Sequence, residues 1–129
     1  MPKVKLLPRA RVLTDGFACY AMYACADDRW LTVGALEPKF FTRVCELIGR
    51  PELAERQYDA DQLPVKAALA AVFADRPLED WLALFDGEDV CVGPVATPTE
   101  ATSEFGSPAL GAAPALGEHT AAWRRELGV

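Results

Sequence analysis

Residues 19–34 constrain the fold more than any other stretch. Cys19-Tyr20-Ala21-Met22-Tyr23-Ala24-Cys25 is rich in strand formers, Asp27-Asp28 is a polar turn, and Trp30-Leu31-Thr32-Val33 resumes the pattern until Gly34. Two such runs around a short polar turn predict a β-hairpin. Side chains alternate along a strand, so Cys19, Ala21, Tyr23 and Cys25 share one face.

The hairpin hands over to helices. Glu37-Pro38 opens the first, because proline is well tolerated in a first turn. Phe41, Val44, Cys45 and Ile48 recur at helical spacing and form one apolar stripe. Gly49 and Pro51 stop it, and a short helical turn is expected near residues 52–56. Asp61 is the expected N-cap of a helix through residue 74, with Val65, Leu69, Val72 and Phe73 inward. Pro77 starts another over 78–85, burying Leu78, Trp81, Leu82 and Phe85. Val90-Cys91-Val92 reads as a short buried strand ending at Gly93-Pro94.

Beyond residue 95 the character changes. Of the 24 residues from 96 to 119, 17 are Ala, Pro, Gly, Thr or Ser, too little apolar surface to offset chain entropy. Extended chain is expected there, followed by a helix over 120–127 carrying Trp123 and Leu127. The organisation is therefore a leader over 1–13, a small domain over 14–95, and a flexible arm with a terminal helix over 96–129. The fold class is α+β, or mixed α/β, with a hairpin, several short helices and a third short strand.

At 129 residues the chain has room for one modest core. Its net charge of -6 argues against a nucleic-acid partner, and no apolar run is long enough to span a bilayer. The N-terminus has no apolar secretory core, so a cytoplasmic location is expected. Lys3, Lys5, Arg9 and Arg11 crowd the start, a cluster that reads as a solvated leader or as a seat for a phosphorylated ligand. Cys19, Cys25, Cys45 and Cys91 form no C-x-x-C pair, and the lone His119 is remote from them, so no metal site is expected. Each cysteine sits in an apolar run and is expected to be reduced and buried. The acidic pairs Asp27-Asp28 and Asp86, Glu88, Asp89 read as solvated turns.

Standard catalytic motifs are missing. There is no phosphate-binding glycine loop, no dinucleotide fingerprint and no nucleophile elbow. Glu37 stands out because it lies where a strand ends and a helix begins. A carboxylate on that mount could orient a histidine or move a proton, or it could simply complement the helix dipole. Phe40 is off the core stripe and lines a pocket or lies against a neighbouring element.

Thr14-Asp15-Gly16-Phe17-Ala18-Cys19-Tyr20, followed by Ala26-Asp27-Asp28-Arg29-Trp30-Leu31-Thr32-Val33-Gly34-Ala35-Leu36-Glu37-Pro38-Lys39-Phe40-Phe41, resembles the CaiB/BaiF-type family III CoA-transferases, and within them the α-methylacyl-CoA racemase branch. Pro77-Leu78-Glu79-Asp80-Trp81, then Asp89-Val90-Cys91-Val92-Gly93-Pro94-Val95, then Leu116-Gly117-Glu118-His119-Thr120 agree in order. Phe17 stands where a second glycine is common, and Asp28 replaces the usual turn glycine.

The resemblance implies part of a CoA-thioester enzyme, a racemase or a transferase. This chain would supply the small-domain side of the active site. The catalytic His and Asp belong to a large domain absent from these residues, so the chain alone is expected to be inactive. Relatives of this kind are interlocked homodimers acting on acyl-CoA. Glu37 is then the catalytic candidate, with Asp15, Gly16, Gly34 and Phe40 as substrate-binding candidates. No cofactor is expected on this chain alone, coenzyme A entering as the thioester substrate. The expected partner is the missing large domain or a full-length homologue. The competing reading is a non-catalytic dimerisation or regulatory module that binds a full-length relative.

Overall fold

The computed structural model describes residues 12–109 and 111–129, so the basic cluster of Lys3, Lys5, Arg9 and Arg11 and most of the expected leader lie outside the described residues. The chain divides into two compact units, residues 1–95 and 96–129.

The first unit is a small α+β domain built on a three-stranded antiparallel sheet, β1 (Tyr20–Ala24), β2 (Trp30–Gly34) and β3 (Val92–Pro94), in the order β1-β2-β3. The register pairs Tyr20 with Gly34, Met22 with Thr32, and Ala24 with Trp30. The hairpin turn closes where Asp28 adopts φ 58°, the left-handed conformation that aspartate tolerates better than most residues. β3 pairs Val33 with Val92 and Leu31 with Pro94. A proline fits there because β3 is an edge strand, where its missing N–H leaves no ladder bond unmade.

Around the sheet lie α1 (Pro38–Leu47), a 3-10 helix (Pro51–Arg56), α2 (Leu63–Phe73) and α3 (Leu78–Phe85). One face of the sheet is buried through Ala21, Tyr23, Leu31 and Val33, joined by Phe41 and Val44 of α1, Leu69 and Phe73 of α2, and Trp81 and Phe85 of α3. An aromatic series runs through this core, with Tyr23 to Phe73 at 5.1 Å and Phe73 to Trp81 at 5.2 Å between ring centres. The polar ends of these rings are satisfied. Tyr23 Oη donates to the Ala18 carbonyl at 2.8 Å and Trp81 Nε1 to the Phe73 carbonyl at 3.0 Å.

Several local expectations need correction. The N-cap of α2 is Gln62 rather than Asp61, although Asp61 Oδ1 accepts the Leu63 N–H at 3.1 Å. Asp27 is not a merely solvated turn residue. Its carboxylate accepts the Leu78 N–H at 3.2 Å and so caps α3 from the hairpin turn. The third strand begins at Val92, and Cys91 before it is exposed with φ 54°, whereas Cys19, Cys25 and Cys45 are buried free thiols. Leu82 and Val72 are partly rather than fully buried.

The second unit, taken by itself, holds α4 (Pro98–Phe105) and α5 (Thr120–Leu127), neither with a buried residue. α4 occupies part of the segment expected to be extended. Its signal is a capping box: Thr97 Oγ1 accepts the Glu100 N–H at 3.3 Å, and the Glu100 carboxylate accepts the Thr97 N–H at 2.7 Å. Two orphan amides are satisfied locally, so a short helix forms without a core. Among the described residues no helix is long and apolar enough to cross a membrane.

Candidate functional site

The junction from β2 to α1 is fixed by backbone and side-chain bonds on residues 34–37. Leu36 N–H donates to the Gly34 carbonyl at 3.0 Å, a tight turn. The Ala35 and Leu36 carbonyls both accept from Gln57 Nε2, at 3.1 and 2.9 Å. Tyr58 Oη donates a further hydrogen bond to the Leu36 carbonyl. Glu37 follows with φ -75° and ψ 135°, and its own carbonyl accepts from Phe40 N–H at 3.0 Å and Phe41 N–H at 3.3 Å. Its side chain makes no capping bond to α1 and is exposed. The carboxylate thus sits on a rigid backbone with its own oxygens uncommitted to the helix.

Asp15 lies in the π-helical turn Val12–Gly16 with φ 60°. Lys66 of α2 anchors it twice, by an ion pair to Asp15 Oδ2 at 2.9 Å and a hydrogen bond to the Asp15 carbonyl at 2.7 Å. Three residues on, Ala18 N–H donates to Gln62 Oε1 at 3.0 Å. Phe17 packs edge-on against Tyr58, with ring centres 6.0 Å apart.

Two concavities share Asp15. The first, about 610 Å³, lies on the sheet face opposite the core and is lined by Asp15, Tyr20, Met22, Trp30, Thr32, Gly34 and Cys91 among others. Gly34 faces Tyr20 across the ladder, and a side chain added there would meet only the Cys91 carbonyl, at 3.6 Å. The missing side chain therefore leaves the hollow open. The second, about 690 Å³, is lined by Asp15, Gly16, Phe17, Tyr58, Asp61, Gln62 and Lys66 among others. Asp15 and Gly34 thus meet in one hollow, and Gly16 belongs to the other. Glu37 and Phe40 line neither. Phe40 is partly buried against the core, with Lys39 Nζ 4.4 Å above its ring.

Sequence reasoning passed over Tyr20, Met22, Trp30, Tyr58 and Lys66. The signal for the first three was present: apolar residues continue on both faces of the hairpin, as in sheets covered on both sides. Electrostatics add one link. The Tyr58 phenol is pushed above its ordinary value by partial burial, then by the neighbouring Cys19, then by the negative charge of nearby Glu37. Among the described residues no group of three or more His, Cys, Asp or Glu side chains could hold a metal ion.

The sequence profile of CoA-transferase family III matches residues 7–116. The chain belongs to that family. It is 38% identical over 97 residues to an α-methylacyl-CoA racemase of Mus musculus, covering 73% of this chain and 26% of that protein. It is 37% identical over 93 residues to the corresponding racemase of Homo sapiens, covering 70% of this chain and 24% of that one. The family III chain thus spans about a quarter of these relatives' length. Among solved structures, a mutant of Rv3272 from Mycobacterium tuberculosis shares the fold, with a TM-score of 0.55 at 22% identity. That match covers 81% of this chain and 38% of the other.

Proposed function

We propose that this chain supplies the small-domain side of an active site that moves the α-proton of an acyl-CoA thioester, in the manner of the racemase branch. The observation that carries the reading is the open, apolar sheet face. Tyr20, Met22 and Trp30 ring a hollow whose rim holds Asp15 and Gly34. Met22 is 59% and Trp30 47% exposed, too much apolar surface to leave bare when a second body can cover it.

A branched acyl chain suits such a surface. The acyl chain would lie across it, with the thioester and its reacting carbon beyond the Gly34 rim, where the chain runs on to Glu37, held between this unit and a large domain encoded outside these 129 residues. Inversion at that carbon breaks a C–H bond on one face, leaves the pair of electrons as a thioester enolate, and returns a proton to the opposite face. The resemblance assigns the proton-carrying His and Asp to the large domain. Glu37 is the contribution of this chain. A carboxylate hydrogen-bonded to an imidazole fixes its tautomer and stabilises its protonated form. The rigid turn mount and the uncommitted side chain of Glu37 suit that role. The interlocked homodimer is part of the same proposal.

The test mixes this chain with the large domain of a family relative and follows exchange of the α-proton of a 2-methylacyl-CoA in heavy water. Exchange is expected only in the mixture, and Glu37→Gln should slow it by roughly 100-fold without unfolding the domain. An unaltered rate in the variant removes Glu37 from the site, and an inactive mixture refutes the enzymatic reading.

A further inference from the structure

Between the two segments that carry the candidate site lies a third that touches both. Residues 57–62 connect the 3-10 helix to α2, and the side chains at the two ends of this connection are buried. Gln57 is 4% and Gln62 7% exposed, two amides taken out of water. Burying an amide is costly unless its groups are bonded. Here they are. Gln57 Nε2 holds the Ala35 and Leu36 carbonyls, and Gln62 Nε2 donates to the carbonyls of Gln57 at 3.3 Å and Asp59 at 2.7 Å. Gln62 Oε1 takes the Ala18 N–H. Tyr58 bonds the Leu36 carbonyl with its hydroxyl while its ring lies against Phe17.

We propose that Gln57 and Tyr58 are positioning residues, a staple that locks the turn before Glu37 to the loop after Asp15 and so sets the direction of the Glu37 carboxylate. The proposal rests on the functional reading above for its catalytic meaning. Its structural content stands apart from that reading. The two loops are about twenty residues distant in sequence, and no ladder bond joins residues 35–37 to residues 15–18. Without the staple, the Asp15 loop would keep its Lys66 and Gln62 anchors and Glu37 its place at the start of α1, but the carbonyls of Ala35 and Leu36 would lose the side-chain bonds that tie this turn to residues 57–62. The Leu36 carbonyl belongs to the peptide that enters Glu37, so fixing its plane restrains φ at Glu37, which is -75°, and with it the direction in which the side chain leaves the backbone.

Three measurements on the full 129-residue chain and its mixture test this. First, Tyr58→Phe keeps the ring contact with Phe17 and removes only the hydroxyl. The Leu36 amide donates to the Gly34 carbonyl within the same turn, so its exchange with heavy water should rise by about tenfold as the turn opens more easily, and the carbon-13 resonance of the Glu37 carboxyl should move. Unchanged exchange and an unmoved resonance overturn the staple. Gln57→Met is the stronger perturbation, and Tyr58→Phe decides the matter if that variant fails to fold. Second, Glu37→Gln should lower the pH at which the Tyr58 phenol ionises, read by its ultraviolet difference spectrum, because a nearby negative charge is removed. No change means that the carboxylate is not held beside Tyr58, which also overturns the proposal. Third, in the mixture with a large domain, Tyr58→Phe should lower kcat about tenfold with KM unaltered, as expected for a misdirected carboxylate. A shift in KM alone would overturn positioning in favour of substrate contact. If the wild-type mixture shows no exchange at all, the functional reading fails, and the first two measurements still decide the staple.

Discussion

On one face of the sheet Ala21, Tyr23, Leu31 and Val33 are buried among the side chains of α1, α2 and α3, while on the other Tyr20, Met22, Trp30 and Thr32 look outward around a hollow. Both faces carry large apolar or aromatic residues, alternating along the same two strands. The difference teaches that apolarity in a strand does not by itself show that the same domain buries it. The inner face is closed by this chain's own helices. The outer face has apolar residues like those of a core and the exposure of a surface, as the proposed composite site requires.

The sharpest way to break this contrast is to truncate one residue on each face. Leu31 is fully buried, and Leu31→Ala should cost about 2–5 kcal/mol through lost transfer energy and the cavity left behind. Trp30, its neighbour in sequence, should cost no more than about 0.5 kcal/mol as Trp30→Ala. Urea unfolding followed by circular dichroism measures both. Comparable losses would mean that the outer face already contributes to a closed core, and the composite-site reading would lose its physical basis.

The thiols sharpen the same contrast. Burial pushes the Cys45 thiol up to about 12, followed by the nearby Glu52 charge, while the exposed Cys91 sits on the rim of the outer hollow. A thiol reagent at neutral pH should therefore label Cys91 alone in the folded chain and all four cysteines in urea. The sign of the pH effect follows from proton counting. Above about pH 9 the unfolded chain has lost the Cys45 proton and the folded chain retains it. Stability then falls as pH rises towards 12, by at most about 1.4 kcal/mol per pH unit from this group. Unfolding under reducing conditions at pH 8 and pH 10 measures the slope, and Cys45→Ala should reduce it, leaving the part that comes from the buried thiols of Cys19 and Cys25, which burial also pushes up.

How far these features were legible in the sequence depends on the range of the interaction behind each one. The hairpin, the stripe of Phe41, Val44 and Cys45, and the span of α5 follow from local period and turn chemistry, and the structure has them where the pattern places them. α4 was hidden because its composition reads as loose chain, although Thr97-Pro98 with Glu100 is a helix start in miniature. Cys91 lies in an apolar run, yet β3 begins only after it, and no periodicity shows which end of a three-residue strand is exposed. The roles of Gln57, Gln62 and Lys66 were not legible at all. Their partners are 22, 44 and 51 residues away, and polar residues on a loop or a helix surface look solvated until the fold brings backbone groups to them. The candidate site shares this split. Glu37 is visible as a strand-to-helix junction, whereas the meeting of Asp15 with Gly34 in one hollow is a product of tertiary structure.

The link between the hairpin and the inner-face helices gives a smaller effect. Asp27 reaches across 51 residues to the first amide of α3, and its own turn is held by Arg29 N–H at 3.3 Å. Asp27→Ala should cost about 1 kcal/mol, the usual worth of a helix cap. Thermal unfolding checks it. A loss well above that figure would show that the turn orders the whole inner layer rather than one helix end.

The smallest expected change separates the turn from both faces. Asp28 holds φ 58° at the position where the resemblance leads one to expect glycine. A side chain in the left-handed region carries a modest steric penalty that glycine escapes, while glycine gives the unfolded chain more freedom to lose. The two terms oppose each other, and the first is the larger for a residue fixed at positive φ. Asp28→Gly should therefore stabilise the domain by about 0.5 kcal/mol, measured by urea unfolding. Because the turn sets the register that pairs Met22 with Thr32 and Tyr23 with Leu31, the variant should leave the exposure of Trp30 and the burial of Leu31 as they are. Destabilisation instead would mean that the Asp28 carboxylate itself holds the turn. The alternation that divides the two faces would then rest on a side chain rather than on a backbone conformation.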